Sequence, residues 1–338
     1  MTRQICIYPP LTGLGGPASF QSRLIAGLSA RGISVTHDID QENLQAVLMM
    51  GGTHHLDKLH NARRSGARIV QRLAGLNWVH WRTRTGVKHF LRAEYGNLVL
   101  SLIRRWMADR VVYQSRFCEA WWHRERGRTP AMETVIHNGI DLGQFSPGYG
   151  STAPMDHIRI LLVEGRLGGG YHLGLIHVAS LAEELEKDLR QRVELVVVGQ
   201  VPASLKQSFT YTKTWITWKG SLPREEISAE DRSAHLLFSG DLQAACPNSV
   251  IEALACGTPV IGFNTGALSE LVDPSCGRLA PYGSDPWKMG PANIPALVEA
   301  AKDALINLPA LQAGARARAV SHFDINQVVE RYMEVLLS

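Results

Sequence analysis

Apolar residues fall in short runs, separated by segments in which they recur every three or four positions. QICIY (4–8), ISVTH (33–37), QAVLMM (45–50), ARIVQ (67–71) and RVVYQ (110–114) have the β-branched, apolar character of strands. SFQSRLIAGLSARG (19–32) has the spacing of an amphipathic helix, with Gly32 as its stop. The plan repeats from residue 158. IRILLV (158–163), ELVVVG (194–199), WITW (215–218), HLLFSG (235–240) and TPVIGF (258–263) predict strands. HLGLIHVASLAEELEKDL (172–189), NSVIEALAC (248–256) and IPALVEAAKDAL (294–305) predict helices. Strand–helix alternation predicts parallel, doubly wound sheets with helices on both faces. GQFSPGYGSTAPM (143–155) reads as a linker. The expectation is an α/β chain of two domains, 1–147 and 148–320, whose strand ends face each other across a ligand-binding cleft.

Composition is consistent with this plan. Of 338 residues, 45% are hydrophobic and 20% charged, a globular balance. No apolar run approaches the roughly 20 residues of a membrane span. MTRQICIYPP has no charged segment followed by an apolar one, so no signal peptide is expected and a cytoplasmic setting is. Five scattered cysteines without CxxC spacing predict neither a disulfide framework nor a zinc site.

Charge is unevenly distributed. Residues 1–140 hold 19 Lys and Arg against 9 Asp and Glu; the remainder hold 16 against 22. The first half therefore carries +10 and is expected to meet something anionic. Arg63, Arg64, Arg68, Arg82, Arg84, Lys88, Arg92, Arg104 and Arg105 are interleaved with Trp78, Trp81, Phe90, Leu91 and Trp106. That mixture suits peripheral contact with an anionic membrane surface or acceptor. No nucleic-acid fold signature accompanies it, and no nucleic-acid partner is expected.

Three turns carry candidate chemistry. In TGLGGPAS (12–19), Gly13, Gly15 and Ala18 satisfy G-x-G-x-x-A, and Asp38 and Asp40 follow. This formally matches a dinucleotide fingerprint and leaves an NAD-dependent oxidoreductase as a distant alternative. Pro9 to Thr12, however, separate the strand from the first glycine. The reading preferred is looser: Gly15 and Gly16 admit a ligand to the backbone, and Pro17 opens a helix whose free N–H groups favour an anion. EGRLGGGY (164–171) follows a strand and precedes a helix; its glycines and Arg166 suit a diphosphate. In ACPNSVIEALACGTPVIGFNTGALSELV (245–272), Asn248 and Ser249 start a helix after Pro247, and Glu252 falls where a carboxylate can accept bonds from vicinal hydroxyls.

Taken together these segments resemble the retaining glycosyltransferases of family four, with their GT-B architecture of two Rossmann-like domains. GGPASF (15–20), QRLAGLNW (71–78), VIHNGIDLGQFSP (135–147), EGRL, PNSVIEALACGTPVIGFNTGALSE and FDINQVVERYMEVL (323–336) carry the likeness in order and spacing. The resemblance implies sugar transfer from a nucleotide-sugar donor to a glycan, polysaccharide or lipid-linked acceptor. It implies no metal and no cofactor beyond the nucleotide sugar as co-substrate. It puts Glu252 on the ribose and Arg166 on the diphosphate, and it makes Gly15 and Gly16 the loop that closes on the ligands. Gly169, Asn248, Ser249, Gly266 and Glu270 would line the donor. His80 is a second catalytic candidate beside Arg166, and residues 321–338 are expected to pack back on the first domain.

The chain departs from the pattern at three positions. The first acid of the E-x7-E motif is Ala244, the lysine expected after Arg166 is Tyr171, and an acid common in the QRLxG segment is Ala74. These losses motivate a second reading, a catalytically degenerate GT-B protein that binds nucleotide sugar or glycan.

Overall fold

The computed structural model describes residues 4–13, 15–83, 86–148, 153–168, 172–210 and 214–338. Two compact units emerge: Met1–Gly139 with Asp324–Ser338, and Ile140–Phe323. The division falls ahead of the Gly/Pro/Ser-rich segment, not inside it. Ile140 and Phe145 are already fully buried in the core of the second unit.

The first unit runs β1 (Gln4–Tyr8), α1 (Gly16–Ser29), β2 (Ser34–Thr36), β3 (Ala46–Met50), α2 (Leu56–Arg64), β4 (Arg68–Leu73), α3 (Val87–Leu102), β5 (Arg110–Tyr113), α4 (Arg116–Arg126) and β6 (Met132–Val135). Its sheet is parallel, in the order β2-β1-β3-β4-β5-β6. Strand side chains alternate between two buried layers. Ile5, Ile7, Leu48 and Val70 face one layer; Cys6, Val47, Met49 and Ile69 face the other. Period-two burial on both faces is what a helix-covered parallel sheet requires.

The second unit runs β7 (Ile158–Arg166), α5 (Leu173–Leu189), β8 (Val193–Gln200), α6 (Ala203–Ser208), β9 (Trp215–Gly220), α7 (Arg224–Arg232), β10 (Leu236–Ser239), α8 (Asn248–Ala255), β11 (Val260–Phe263), α9 (Leu268–Leu271), β12 (Gly277–Ala280), α10 (Ile294–Ile306) and α11 (Leu308–His322). Its parallel sheet is ordered β12-β11-β10-β7-β8-β9. Ile160, Leu162 and Val197 face one core layer, Leu161, Val196 and Leu237 the other. The Ile140 N–H donates to Phe323 O (2.8 Å), so the chain enters and leaves this unit side by side.

The last helix, α12 (Ile325–Leu337), belongs to the first unit. Tyr332 packs on Phe20 of α1 with ring centroids 5.4 Å apart. A Cβ on Gly27 would lie 2.4 Å from the Val329 side chain, so Val329 of α12 rests on the backbone of α1 there. Arg31 pairs with Glu330 at 2.5 Å, and the Arg68 guanidinium donates to Leu336 O (2.9 Å). No helix among the described residues is long and apolar enough to cross a membrane.

Each sheet has a switch point where chain progression reverses: between β1 and β3 in the first, and between β7 and β10 in the second. Open α/β sheets bind ligands at the carboxyl ends of the strands flanking that point.

Candidate active site

In the second unit the switch point brings together the ends of β7 and β10. β7 shifts register against β8 between Val163 and Arg166, and the Leu167 N–H then donates to Gln200 O (2.8 Å). Leu167 is buried while Arg166, one residue before it, is exposed. Gly199 at the end of β8 has φ +135°, and a Cβ there would lie 1.9 Å from Glu164 O. A Cβ on Gly174, at the start of α5, would lie 2.3 Å from Gly240 O. Two pairs of segments, β7 with β8 and the start of α5 with the end of β10, thus meet at main-chain contact near Arg166.

Two carboxyls missed by the motif reading sit here. Glu164, half-buried, is pushed up to about 8 by loss of water around its carboxyl, with a further push from Asp241. Asp241 is raised as well by burial, against the pull of the Gln243 N–H. The only sequence signal was an acid directly before Gly165 and Arg166. Its partner lies far along the chain and arrives through the pairing of β7 with β10.

The turn after β11 is bolted to the loop after β10. Gly266 is left-handed (φ +58°), and a Cβ on it would lie 2.7 Å from Ala244 N and 2.9 Å from Ala244 O. The next residue, Ala267, donates its N–H to Ala244 O (2.9 Å). Ala244 is buried. The position of the missing acid is therefore the seat of the TGAL turn.

Asn248 and Ser249 open α8, whose N-cap is Pro247 with no side-chain cap. Glu252 lies one turn further and is buried, 7% exposed. It stands near Asp231 of α7, which is fully buried and raised well above the ordinary carboxylate range by desolvation and then by Glu252. Neither Asp231 carboxyl oxygen has a hydrogen-bond partner, consistent with a neutral acid. Glu270, in α9, is half-buried, and its carbonyl accepts from Arg318 (2.8 Å). Gly169 and Tyr171 lie outside the described residues. A cavity of about 480 Å3, lined by Arg232, Cys256, Thr258 and Arg316, opens at the amino ends of β10 and β11, away from the strand ends just described.

Gly15, Gly16 and His80 belong to the first unit. Gly15 caps α1 in extended conformation, and Pro17 lies in the first turn. The preceding loop is held by Gln21, a buried residue whose role the motif reading missed. Its Oε1 accepts from Leu11 N (2.7 Å) and its Nε2 donates to Pro9 O (3.0 Å). β1 ends at Tyr8, well before Gly13, so no glycine sits at the strand end as a dinucleotide site demands. Asp40, one of the two acids of that fingerprint, is paired with Lys58.

His80 lies in a short turn before α3, its side chain 1% exposed. Its Nε2 contacts Glu94 Oε1 (2.8 Å), which also accepts from Trp81 Nε1 (2.7 Å). Phe90 packs edge-on at 5.0 Å. Burial works to raise the Glu94 pKa, but the bonds from His80, Trp81 and Asn97 win and hold it below the ordinary value. Ala74 is exposed, and its carbonyl accepts from Trp122 Nε1 (2.7 Å).

Of the basic cluster, Arg63 pairs with Asp109 at 2.8 Å, and Arg104 is buried, donating to Tyr113 Oη (2.7 Å) and Glu133 (3.1 Å). Arg84 lies outside the described residues. Glu119, His123 and Glu133 bring three ligand atoms within 4.8 Å of one another, a grouping the spacing rules had not found. Arg104 and Tyr113 already bind Glu133, which is the ordinary look of an ion-pair network.

Residues 162–305 match the model of the family described as Glycosyl transferases group 1. That match covers most of the second unit and none of the first. D-inositol 3-phosphate glycosyltransferase 1 of Catenulispora acidiphila is 27% identical over 229 residues, which are 63% of this chain and 53% of that protein. The chain thus spans about half the length of this curated relative. Sucrose-phosphate synthase of Thermosynechococcus elongatus has the same fold, with a TM-score of 0.76 at 18% identity over 98% of both chains. So has HepE of Anabaena, solved in complex with UDP and glucose, at 0.71 and 14% over 99% of both. The fold is GT-B, two Rossmann-like α/β units. The family match takes in the glycine turn after β7 and the Gly266 turn, and the Gly13–Gly16 loop lies outside it.

Proposed function

We propose that the chain is a retaining glycosyltransferase that moves a sugar from a nucleotide-sugar donor to a glycan, polysaccharide or lipid-linked acceptor. The observation that carries this reading is the strand-end assembly of the second unit. Exposed Arg166, the start of α8 and the Gly266 turn lie at its strand ends, inside the stretch that matches the family. The N–H groups at the start of α8 and the Arg166 guanidinium would oppose the charge that builds on a leaving diphosphate. Glu252 would accept from the ribose hydroxyls. The complex of HepE with UDP and glucose supports a nucleotide-sugar donor. No resident cofactor or metal enters this reading. The basic first unit would face the acceptor side and, with it, an anionic membrane surface.

The test is a thermal-shift panel of UDP-, GDP-, ADP- and TDP-sugars, the free nucleotides and NAD(H). Ligand at a hundredfold its dissociation constant adds about 2.7 kcal/mol, enough to move the melting point by several degrees. A selective shift with one nucleotide sugar is expected, followed by transfer with retained anomeric configuration. A shift with NAD(H) alone would overturn the reading.

Ala244 favours the second reading, a degenerate GT-B protein that binds without transfer. Selective nucleotide-sugar binding with no transfer to any acceptor extract, and transfer gained only in Ala244→Glu, would establish it.

A further inference from the structure

The rotation of α3 is fixed from within. Its buried face carries Ala93, Asn97 and Val99. Asn97 Oδ1 accepts from Asn77 N (2.9 Å), and Asn97 Nδ2 donates to Asn77 O (2.9 Å). The opposite face of a helix pinned in this way should be polar if water is its only neighbour.

It is apolar instead. Val87, Leu91, Tyr95, Leu98 and Leu102 recur at helical spacing and, at about 100° per residue, lie within roughly 80° of one another. Val87 is 76% exposed, Leu91 62% and Leu98 52%. Phe90 borders the stripe, and Trp106, 70% exposed, follows the helix end. A row of apolar side chains about 24 Å long is more than the isolated exposed leucines that need no explanation.

The flanks supply the sign of what covers it. Lys88 and Arg92 are exposed on α3, and the Arg105 guanidinium lies over the Trp106 ring at 5.6 Å. The one acid of α3, Glu94, is turned to His80 and Trp81. An apolar stripe beside cations is the chemistry of the boundary between acyl chains and anionic headgroups. A second copy would bring the same cations onto each other.

We propose that α3 is a membrane-docking helix. Its stripe enters the interface of an anionic bilayer, while Lys88, Arg92 and Arg105 reach the lipid phosphates. This rests on the reading that the basic first unit meets an anionic surface, and not on the transfer chemistry.

The test is co-sedimentation of the full chain with phosphatidylcholine vesicles, with and without phosphatidylglycerol. The wild type is expected to bind the mixed vesicles at least tenfold more strongly than the neutral ones. Leu91→Asp with Leu98→Asp should lose at least tenfold on mixed vesicles, with an unchanged melting point because both positions face solvent. Lys88→Glu with Arg92→Glu should remove the preference for phosphatidylglycerol. Unchanged binding by the Leu91/Leu98 variant, or no binding by the wild type, would overturn the proposal. A wild-type dimer in light scattering that the same variant dissociates would assign the stripe to a second copy and overturn it too. The nucleotide-sugar thermal shift of both variants, read on the same samples, keeps failure here separate from failure of the transferase reading.

Discussion

Gly266 rests on the backbone of Ala244: a Cβ at 266 would sit 2.7 Å from the Ala244 nitrogen, on a backbone that is left-handed. Gly266→Ala is therefore expected to destabilise the second unit. The left-handed conformation alone costs an L-residue about 1–2 kcal/mol, and the contact with main chain cannot be relieved by a rotamer. At roughly 2–4 °C per kcal/mol for a unit of this size, the melting point should fall by several degrees. A melting curve unchanged from wild type would mean that the turn is not bolted to the loop.

The Glu164 carboxyl gives a pH dependence of defined sign. Its pKa in the folded chain is raised to about 8, mainly by desolvation and also by Asp241. Between the ordinary carboxylate range and about 8, the unfolded chain has released this proton and the folded chain still holds it. Stability contributed here is present at low pH and falls as pH rises through that window. Glu164→Gln should flatten the loss, and the variant should melt higher than wild type at the alkaline end. Nucleotide affinity should follow the same curve, because a neutral Glu164 beside Arg166 does not repel a diphosphate. Parallel titrations of wild type and variant with nearly superimposed slopes would remove Glu164 from both roles.

Arg166 and Glu252 separate by what their removal does to folding. Arg166 is exposed at the end of β7, so Arg166→Ala should leave stability within about 0.5 kcal/mol while turnover drops. A collapse of the melting point would make Arg166 structural. Glu252→Gln keeps the volume of a buried side chain and removes a charge that faces Asp231. Folding should be preserved or improved, and nucleotide binding should weaken, since charge-assisted bonds of about 1.5–3 kcal/mol each would be lost. Unaltered affinity in isothermal titration would take Glu252 off the ribose.

Long apolar runs were legible in the sequence because a buried parallel strand has no polar face to hide it. β7 and β8 are examples. β6 (METV) and β12 (GRLA) were not, for they are four-residue edge strands of mixed polarity. α11 escaped because it buries Leu311, Ala315 and Ala319, a contact of small residues with little hydrophobic contrast. In the site, motif spacing placed the helix start at Asn248 and the turn at Gly266, both local features. It could not place Glu164 beside Asp241 or Gly266 on Ala244. Those pairs meet only through strand order, when β10 inserts between β7 and β11. His80 was visible as a histidine among aromatics, but its closure against Glu94 depends on how α3 folds back.

That closure yields the last prediction. With its side chain 1% exposed and bonded to Glu94, His80 positions the turn before α3 in this conformation. His80→Ala would leave Glu94 with fewer of the bonds that hold its pKa down against burial. Glu94 contributes stability above its unfolded pKa that is lost as pH falls through its depressed folded value. The variant should therefore be less stable than wild type at neutral pH, with the gap narrowing on acidification. Turnover should fall no further than the folded fraction does. A variant that melts like wild type and yet loses turnover by orders of magnitude would instead give His80 a direct part in the chemistry, after a movement that opens it to the substrate.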